Sequence, residues 1–160
     1  MIAAGHNYSY VWRVVLSQDH SSLAYSVDFK GKGIYTIRIL KLTTDEQIDD
    51  QLQGTSFTIE GGQNDKSIFY TTKNAAKRPQ KAWKYIIGTS QHQDVCLVTE
   101  TDSQFGLYIS KSHGGKFLFF SSISKDTSEV SYIDLNSGMD EVIMQANQRC
   151  AMICSSFVLG

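Results

Sequence analysis

The sequence of 160 residues lacks an excess of charge of either sign and lacks long hydrophobic runs. Its net charge is −1 and charged residues make up 19%, so nothing marks a surface for nucleic acid or an anionic membrane. No apolar run approaches the roughly 18 residues that a membrane-spanning helix needs, and residues 1–6 lack the regions of a signal peptide. We therefore expect a cytoplasmic protein without nucleic-acid or membrane partners, with an organelle as the open alternative.

A complete set of disulfides is also missing. The three cysteines are Cys96, Cys150 and Cys154, an odd number, and no second Cys or His lies near them in zinc spacing. We expect buried or free thiols of a reducing compartment. The histidines show no paired metal spacing either, which predicts no metal and no cofactor; they are His6, His20, His92 and His113.

Helical periodicity is absent as well, although apolar residues reach 41% and predict a real core. Between residues 10 and 136, no window of about twelve residues keeps the i, i+3, i+4 pattern of a helix. Short alternating or β-rich runs predict strands instead, at Tyr35–Leu42, Val95–Thr99, Phe105–Ser110 and Ser128–Leu135. The one alternative is a short C-terminal helix over Asp140–Ala151, whose residues tolerate a helix.

Two short units recur three times along the chain. The first is a polar turn followed by an apolar-aromatic strand, and it places Leu23, Ile68 and Leu118 at matching positions 45 and 50 residues apart. The second unit follows each copy of the first, at Leu40–Thr44, Ile86–Ser90 and Ile133–Ser137. A period of this length with several strands per unit is typical of β-propeller blades. The sequence therefore predicts an all-β fold: about three four-stranded antiparallel blades of an incomplete β-propeller.

The repeat divides the chain into a partial propeller, residues 1–137, and a divergent tail, residues 138–160. The blades are predicted at about 13–44, 57–99 and 105–137. Three blades do not close a ring, so the first and last should expose unpaired faces and edges. We expect a protein that is marginally stable, prone to aggregation or dependent on a partner.

Three clusters have the composition of a site but also a simpler structural explanation. An acidic stretch lacks the ligand pattern and central glycine of a calcium loop and is predicted to be a solvated loop: Asp45, Glu46, Asp49 and Asp50. A basic stretch near Trp83 is predicted to be a loop between blades rather than a nucleic-acid contact: Lys73, Lys77, Arg78, Lys81 and Lys84. Five aromatic residues on predicted inner strands should form inter-blade core rather than a ligand cage: Phe69, Tyr70, Phe117, Phe119 and Phe120.

Several spaced motifs carry a family resemblance, which spans roughly residues 13 to 135. They are Ser17–Asp28 with Tyr35–Arg38; Ser67–Thr71, Arg78-Pro79, Gly88–Ser90 and Asp94; then Asp102, Phe105, Ser110–Ser112 and Thr127–Val130. In this order they resemble the N-terminal propeller of the prolyl oligopeptidase family of serine peptidases, in particular its oligopeptidase B branch. The chain departs from the family at Trp83–Ile87, where a basic run is usual, and after Leu135.

The resemblance implies a serine-type endopeptidase whose nucleophile lies on a Gly-x-Ser-x-Gly elbow in a C-terminal α/β-hydrolase domain. This chain has no such elbow. Gly88–His92 lacks the second glycine, and Ser112–Gly115 puts Ser and His side by side, where a triad brings them together through the fold. Both segments are predicted to be turns, so we expect no catalytic residue and no activity of the chain alone.

The resemblance also implies what the propeller does, since blades around a channel form a tunnel of limited width. In the family it caps the hydrolase active site and admits short peptides. We expect a truncated, non-catalytic propeller portion of an oligopeptidase B-like peptidase, with peptides and a hydrolase domain as partners. Two alternatives stay open: an interaction scaffold that uses its exposed blade edges, and a peptidase subunit completed by a separate hydrolase chain.

Overall fold

The computed structural model describes residues 8–42, 44, 46–63, 65–137, 143–144 and 150–151. Within these residues the chain is all-β, with one 3-10 turn at Gln91–Gln93, and no helix there is long and apolar enough to cross a membrane. The strands are β1 (Tyr10–Leu16), β2 (Ser22–Asp28), β3 (Tyr35–Lys41), β4 (Glu46–Gly61), β5 (Ser67–Lys73), β6 (Pro79–Ile86), β7 (Val95–Thr99), β8 (Gly106–Lys111), β9 (Phe117–Ile123), β10 (Thr127–Asp134), β11 (Ile143–Met144) and β12 (Cys150–Ala151).

The strands pair in sequence order to form three antiparallel blades. β1 to β7 form one sheet, β8 to β10 form a second, and the short β11 and β12 both pair with β10. β4 is 16 residues long and pairs with β3 through its first part and with β5 through its last part. Blade 1 therefore contains β1–β3 with Glu46–Leu52, blade 2 contains Thr55–Gly61 with β5–β7, and blade 3 contains β8–β12. The described strands do not close into a ring, which confirms the predicted incomplete β-propeller.

The chain passes from blade 1 to blade 2 inside β4, at Gly54. The φ of Gly54 is 70°, in the left-handed region that residues with a Cβ rarely adopt. The next residue, Thr55, pairs with Tyr35 of blade 1 and with Thr72 of blade 2. Gly54 therefore permits the bend that converts the outer strand of one blade into the inner strand of the next.

Two apolar clusters fill the spaces between the blades, and their burial is the main favourable term for folding. The cluster between blades 1 and 2 contains Ala24, Ile37, Ile39, Leu52, Ile59, Ile68, Tyr70 and Tyr85. The cluster between blades 2 and 3 contains Phe69, Ala82, Leu107, Ile109, Leu118, Phe120 and Ile133. Because side chains alternate along a strand, the neighbours Phe69 and Tyr70 point into different clusters.

Four predicted strands are confirmed to within one residue at each end, as β3, β7, β8 and β10. The alternative of a C-terminal helix is wrong where the structure describes it, because Ile143–Met144 and Cys150–Ala151 are strands on β10. The edge of β10 offers unpaired backbone groups, and pairing with them outweighs a weak tolerance for helix. The rest of Asp140–Ala151 lies outside the described residues. The predicted blade limits and the division at residue 137 stay predictions, since a strand shared by two blades defines no unique limit.

Candidate functional site

Two turns contain the serines that we compared with a nucleophile motif. In each turn, the serine hydroxyl accepts a hydrogen bond from a backbone amide of the same turn. The Ser90 hydroxyl accepts a hydrogen bond from the His92 amide at 3.4 Å and caps the 3-10 turn. The Ser112 hydroxyl accepts one from the Phe117 amide at 3.0 Å, and its carbonyl accepts one from the Gly115 amide at 2.8 Å. These are the contacts of residues that stabilise turns.

The candidate metal ligands are dispersed. His20, His92 and His113 are exposed and lie in three separate turns. In the part of the chain that the structure describes, no three His, Cys, Asp or Glu side chains come together as ligands. Cys96 is a free, exposed thiol on β7, whereas His6 and Cys154 lie outside the described residues.

The acidic stretch is a strand over most of its length, so the prediction of a solvated loop is wrong there. Glu46, Asp49 and Asp50 lie within β4, and Glu46 pairs with Lys41 of β3. Acidic residues have low β propensity, but pairing along β3 satisfies backbone groups that a strand must bond. Asp45 lies outside the described residues.

The basic stretch lies within blade 2, in the hairpin between β5 and β6, so the prediction of a loop between blades is wrong. The Asn74 amide donates to the Arg78 carbonyl at 2.8 Å, and the Asn74 side chain accepts from the Arg78 amide at 3.1 Å. This turn closes the hairpin, so β6 pairs with β5 directly after it. The cations reach different neighbours: Lys73 Nζ donates to the Gly33 carbonyl at 2.6 Å, and Arg78 Nη1 donates to the Asp102 carbonyl at 2.7 Å.

The five aromatic residues divide between two environments. Three are buried in the inter-blade clusters, as predicted: Phe69, Tyr70 and Phe120. Phe117 and Phe119 are only half-buried on the opposite face of β9, with ring centroids 5.5 and 6.3 Å from that of Tyr132. The prediction that the five aromatic residues lie on inner strands is wrong. They lie on β5 and β9, which are the second strands of their blades.

The inner strands, which we define as β1, Thr55–Gly61 and β8, are the first strands of the three blades and lie against one another. Aromatic rings connect them near their beginnings. The ring centroid of Phe57 lies 5.2 Å from that of Trp12 and 6.0 Å from that of Tyr108. Because each ring comes from a different blade, the row spans the inner edge of the whole structure.

Charged side chains connect the same strands further along, from the middle of β1 and from the ends of β4 and β8. The Arg13 guanidinium on β1 donates to the carboxylate of Glu60 on β4, and its Nε donates to the Ile59 carbonyl at 3.1 Å. Lys111 Nζ on β8 donates to the Gly61 carbonyl at 2.8 Å. These contacts join all three inner strands into one continuous wall.

Glu60 is the buried member of this network. Only 5% of the residue is exposed, and burial raises the pKa of its carboxyl, while the charges of Arg13 and Lys111 act against that rise. The Arg13 side chain is 47% exposed, so the ion pair runs from the interior to solvent. A carboxylate that bonds the Arg13 guanidinium of one neighbouring blade and lies in the field of Lys111 of the other is suited to fixing the blades relative to one another.

A small cavity of about 40 Å³ lies between blades 1 and 2 near this network. Its lining is mostly apolar, with Val15, Ala24 and Ile68 among the residues, but it also includes the polar residues Ser67 and Asp65. Pockets for small-molecule ligands usually measure about 300–1,000 Å³. The cavity is therefore too small for a cofactor, and the inner strands are the better candidate for a binding surface.

Sequence comparison decides which family shares this architecture. Residues 1–153 match the family model of the prolyl oligopeptidase N-terminal β-propeller domain. The chain belongs to this family. The resemblance inferred from the spaced motifs is thereby confirmed, and membership of a β-propeller family accounts for the repeat.

Individual relatives in this propeller family point to the same branch. The chain is similar to Protease 2 of Moraxella lacunata, with 35% identity over 136 residues, which cover 84% of this chain and 20% of the relative. It is similar to the structure of oligopeptidase B from Leishmania major, with 29% identity, a TM-score of 0.88 and coverage of 92% and 21%. Oligopeptidase B from Trypanosoma brucei with covalently bound antipain is 35% identical, with a TM-score of 0.81 and coverage of 89% and 20%. The chain thus spans about a fifth of the length of these relatives.

Sequence reasoning missed the aromatic row and the charged network of the inner strands. Arg13 and Glu60 are 47 residues apart, which is close to the repeat period. Residues one repeat apart lie on equivalent strands of consecutive blades, which are side by side. The separation of Arg13 and Glu60 in the sequence could therefore have indicated their contact. Residue types alone did not reveal it, since the contact depends on how the blades pack.

Proposed function

We propose that this chain is a non-catalytic propeller portion of an oligopeptidase B-like serine peptidase and that it gates the access of peptides to a hydrolase domain. The observation that carries the proposal is the continuous wall of the three inner strands. In a propeller the blades surround a central channel, and these strands form the inner edges of the blades. A wall fixed by side-chain contacts sets a channel width that an extended peptide can pass and a folded protein cannot.

Two further facts support this assignment. The family and the similarity to oligopeptidase B support the peptidase context. The chain's own sequence has no Gly-x-Ser-x-Gly elbow, so a nucleophile must come from elsewhere. The network of Arg13, Glu60 and Lys111 gives the gate its rigidity, because each of the three residues belongs to a different blade.

A covalent probe tests the non-catalytic part of the proposal. The purified chain is incubated with a serine-directed fluorophosphonate probe and, separately, with short peptides that contain Arg or Lys. We expect neither labelling nor cleavage. Specific labelling of any serine in the folded chain, lost on unfolding, would overturn this part.

A chimera tests the gate. The matching segment of Protease 2 from Moraxella lacunata is replaced by this chain's, and cleavage of a short peptide and of a long unfolded polypeptide is measured. We expect the chimera to favour the short peptide, and Glu60→Ala to raise cleavage of the long polypeptide because the wall loosens. Asp126→Ala, at an exposed turn of blade 3, is the control. Equal selectivity in the chimera and both variants would contradict a gating role.

An interaction scaffold is the second candidate function, and one observation favours it. β1 is the edge strand of its sheet, and alternate residues along it are large, apolar and 46–53% exposed: Tyr10, Trp12, Val14 and Leu16. Monomeric proteins rarely leave such a row uncovered. A stable partner that binds the chain through β1 and carries no hydrolase domain would support the scaffold over the gate.

A further inference from the structure

Two aromatic rings of the inner strands project from interruptions in the strand pairing. Trp12 of β1 is an extra residue between two consecutive pairs with β2, so it has no partner there. On β4, residues 56–58 lie opposite the single residue Thr71 of β5, and Phe57 is the middle one of the three. Bulges of this kind re-aim a side chain and are frequent beside functional sites.

One buried hydroxyl holds both bulges. Ser26 of β2 is 0% exposed. Its Oγ accepts a hydrogen bond from the Arg13 amide, directly after Trp12, at 3.3 Å, and donates one to the Phe57 carbonyl at 3.2 Å. Because polar groups that stay unbonded at this depth are costly, these bonds favour the bulged conformation of both strands. Ser26 therefore positions two rings whose centroids lie 5.2 Å apart.

Phe57 stays partly open although a blade lies on each side of it. We define the aromatic row as Trp12, Phe57 and Tyr108, one ring from each inner strand. Phe57 is the middle ring, in contact with Trp12 of blade 1 and Tyr108 of blade 3, and it is only half-buried. Ile59, two residues further along the same strand, is 0% exposed. Since β5 pairs with this strand from behind, the open part of the Phe57 ring faces the inner edge of the wall.

The charges of the inner strands favour one kind of side chain at the row. The face of an aromatic ring can hold a cation or pack against another ring or an aliphatic group. The inner strands carry two cations, Arg13 and Lys111, and one carboxylate, Glu60, which is buried and bonded to Arg13. Their net positive charge opposes the approach of a lysine or arginine side chain. An uncharged aromatic or large aliphatic side chain fits the row better.

We propose that the aromatic row is a subsite of the channel that binds an aromatic or large aliphatic side chain of a peptide, and that Phe57 determines this specificity. The proposal rests on the proposed gate for the place of the row in a channel, and it adds a preference for side-chain type to the limit on size. Ser26 is a positioning residue, because it acts on the peptide only through the two bulges.

Trp12 supplies an optical signal for binding. The chain has two tryptophans, so Trp83→Phe leaves Trp12 as the only one, and circular dichroism checks the fold of this variant. Peptides Gly-Gly-X-Gly-Gly with blocked ends, in which X is phenylalanine, alanine or lysine, are titrated while the emission of Trp12 is followed. We expect the phenylalanine peptide to change the emission and to bind about two- to tenfold more tightly than the alanine peptide, and the lysine peptide to bind most weakly. If Trp83→Phe does not fold, the same titrations of the wild-type chain follow the total emission.

Three variants test the roles of the residues, with the ratio of the dissociation constants for the alanine and phenylalanine peptides as the readout. A loss of stability alone affects both peptides equally and leaves this ratio unchanged. Phe57→Leu keeps an apolar side chain without a ring and should bring the ratio close to one, and Ser26→Ala should lower it in the same direction. Ser56→Ala is the matched control, because Ser56 is also 0% exposed and its hydroxyl has no hydrogen-bond partner among the described residues.

The proposal is overturned if no peptide changes the emission, if the three peptides bind equally, if the lysine peptide binds most tightly, or if Phe57→Leu keeps the ratio. If Ser56→Ala lowers the ratio as much as Ser26→Ala, Ser26 does not act through the bulges. These outcomes are separate from the test of the gate, because the chimera compares short with long substrates. A row without preference leaves the gate standing, whereas a chimera without size selection removes the channel but not the measured preference.

Discussion

The interface between blades 1 and 2 and the interface between blades 2 and 3 bury apolar clusters of similar kind, but polar contacts reinforce them differently. Across the first, Arg13 pairs with the buried Glu60, and the Asp65 carboxylate accepts the Gln18 amide at 2.8 Å. Lys73 adds its bond to the Gly33 carbonyl. Apolar packing and directional contacts therefore act together at this interface.

The second interface relies more on packing. Lys111 Nζ reaches the Gly61 carbonyl at 2.8 Å, and Gln63 Nε2 reaches the Gly115 carbonyl at 3.4 Å, so both of these side chains bond backbone carbonyls, while the Lys111 backbone amide bonds the Glu60 carboxyl. The connections differ too, since β4 runs continuously through the first junction while residues 100–105 form a turn at the second. Hydrogen bonds are directional and apolar contacts are not. The first junction should thus fix the geometry of the blades, and the second should depend on the shape of its core.

The largest expected effect is the loss of core volume at the second interface. Leu107 is fully buried on the inner strand of blade 3, and Leu107→Ala should lower the free energy of unfolding by about 2–5 kcal/mol, as truncation of a buried leucine does. Urea denaturation at one fixed protein concentration measures it. Ser110→Ala, at an exposed position of the same strand, should change the value by less than about 0.5 kcal/mol. A loss below about 1 kcal/mol for Leu107→Ala would mean that the second interface does not depend on packing.

An intermediate effect is expected at the continuous strand of the first junction. Gly54→Ala forces a Cβ into the left-handed conformation at φ 70° and should cost about 1–2 kcal/mol of folding free energy. No atom lies within 4 Å of the added Cβ, so the cost is conformational rather than steric. Gly114→Ala is the matched control, because its Cβ also meets open space and its φ is not positive. Equal stabilities of the two variants would show that β4 does not need the bend.

The features that the sequence predicted are those that nearby residues determine. Strand alternation and the spacing of Leu23, Ile68 and Leu118 depend on the local pattern and on the repeat, and the structure places these residues on the second strands of the three blades. The acidic stretch at Glu46–Asp50 was misjudged because its strand forms only where β3 supplies a partner. One face of β9 carries Phe120 and the other carries Phe119. The neighbouring blade determines which of the two faces is covered. The inner-strand network likewise needed the positions of three blades, which no single segment determines.

The smallest expected effect concerns the buried carboxyl that distinguishes the first interface. Burial raises the pKa of Glu60 above its ordinary value of 4.5, while Arg13 and Lys111 partly offset that rise. The folded state therefore holds this proton more tightly than the unfolded state, so the contribution of Glu60 is most favourable below its unfolded pKa and is lost as the pH rises through the raised pKa. Glu60→Gln has no proton to lose at this position. The free energy of unfolding of the wild type minus that of Glu60→Gln should consequently fall as the pH rises above the ordinary glutamate pKa of 4.5, measured by urea denaturation. Asp126→Asn controls for the removal of one carboxylate. A difference that grows with pH would mean that the two cations outweigh burial, and the first interface would then owe its stability to the ion pair itself.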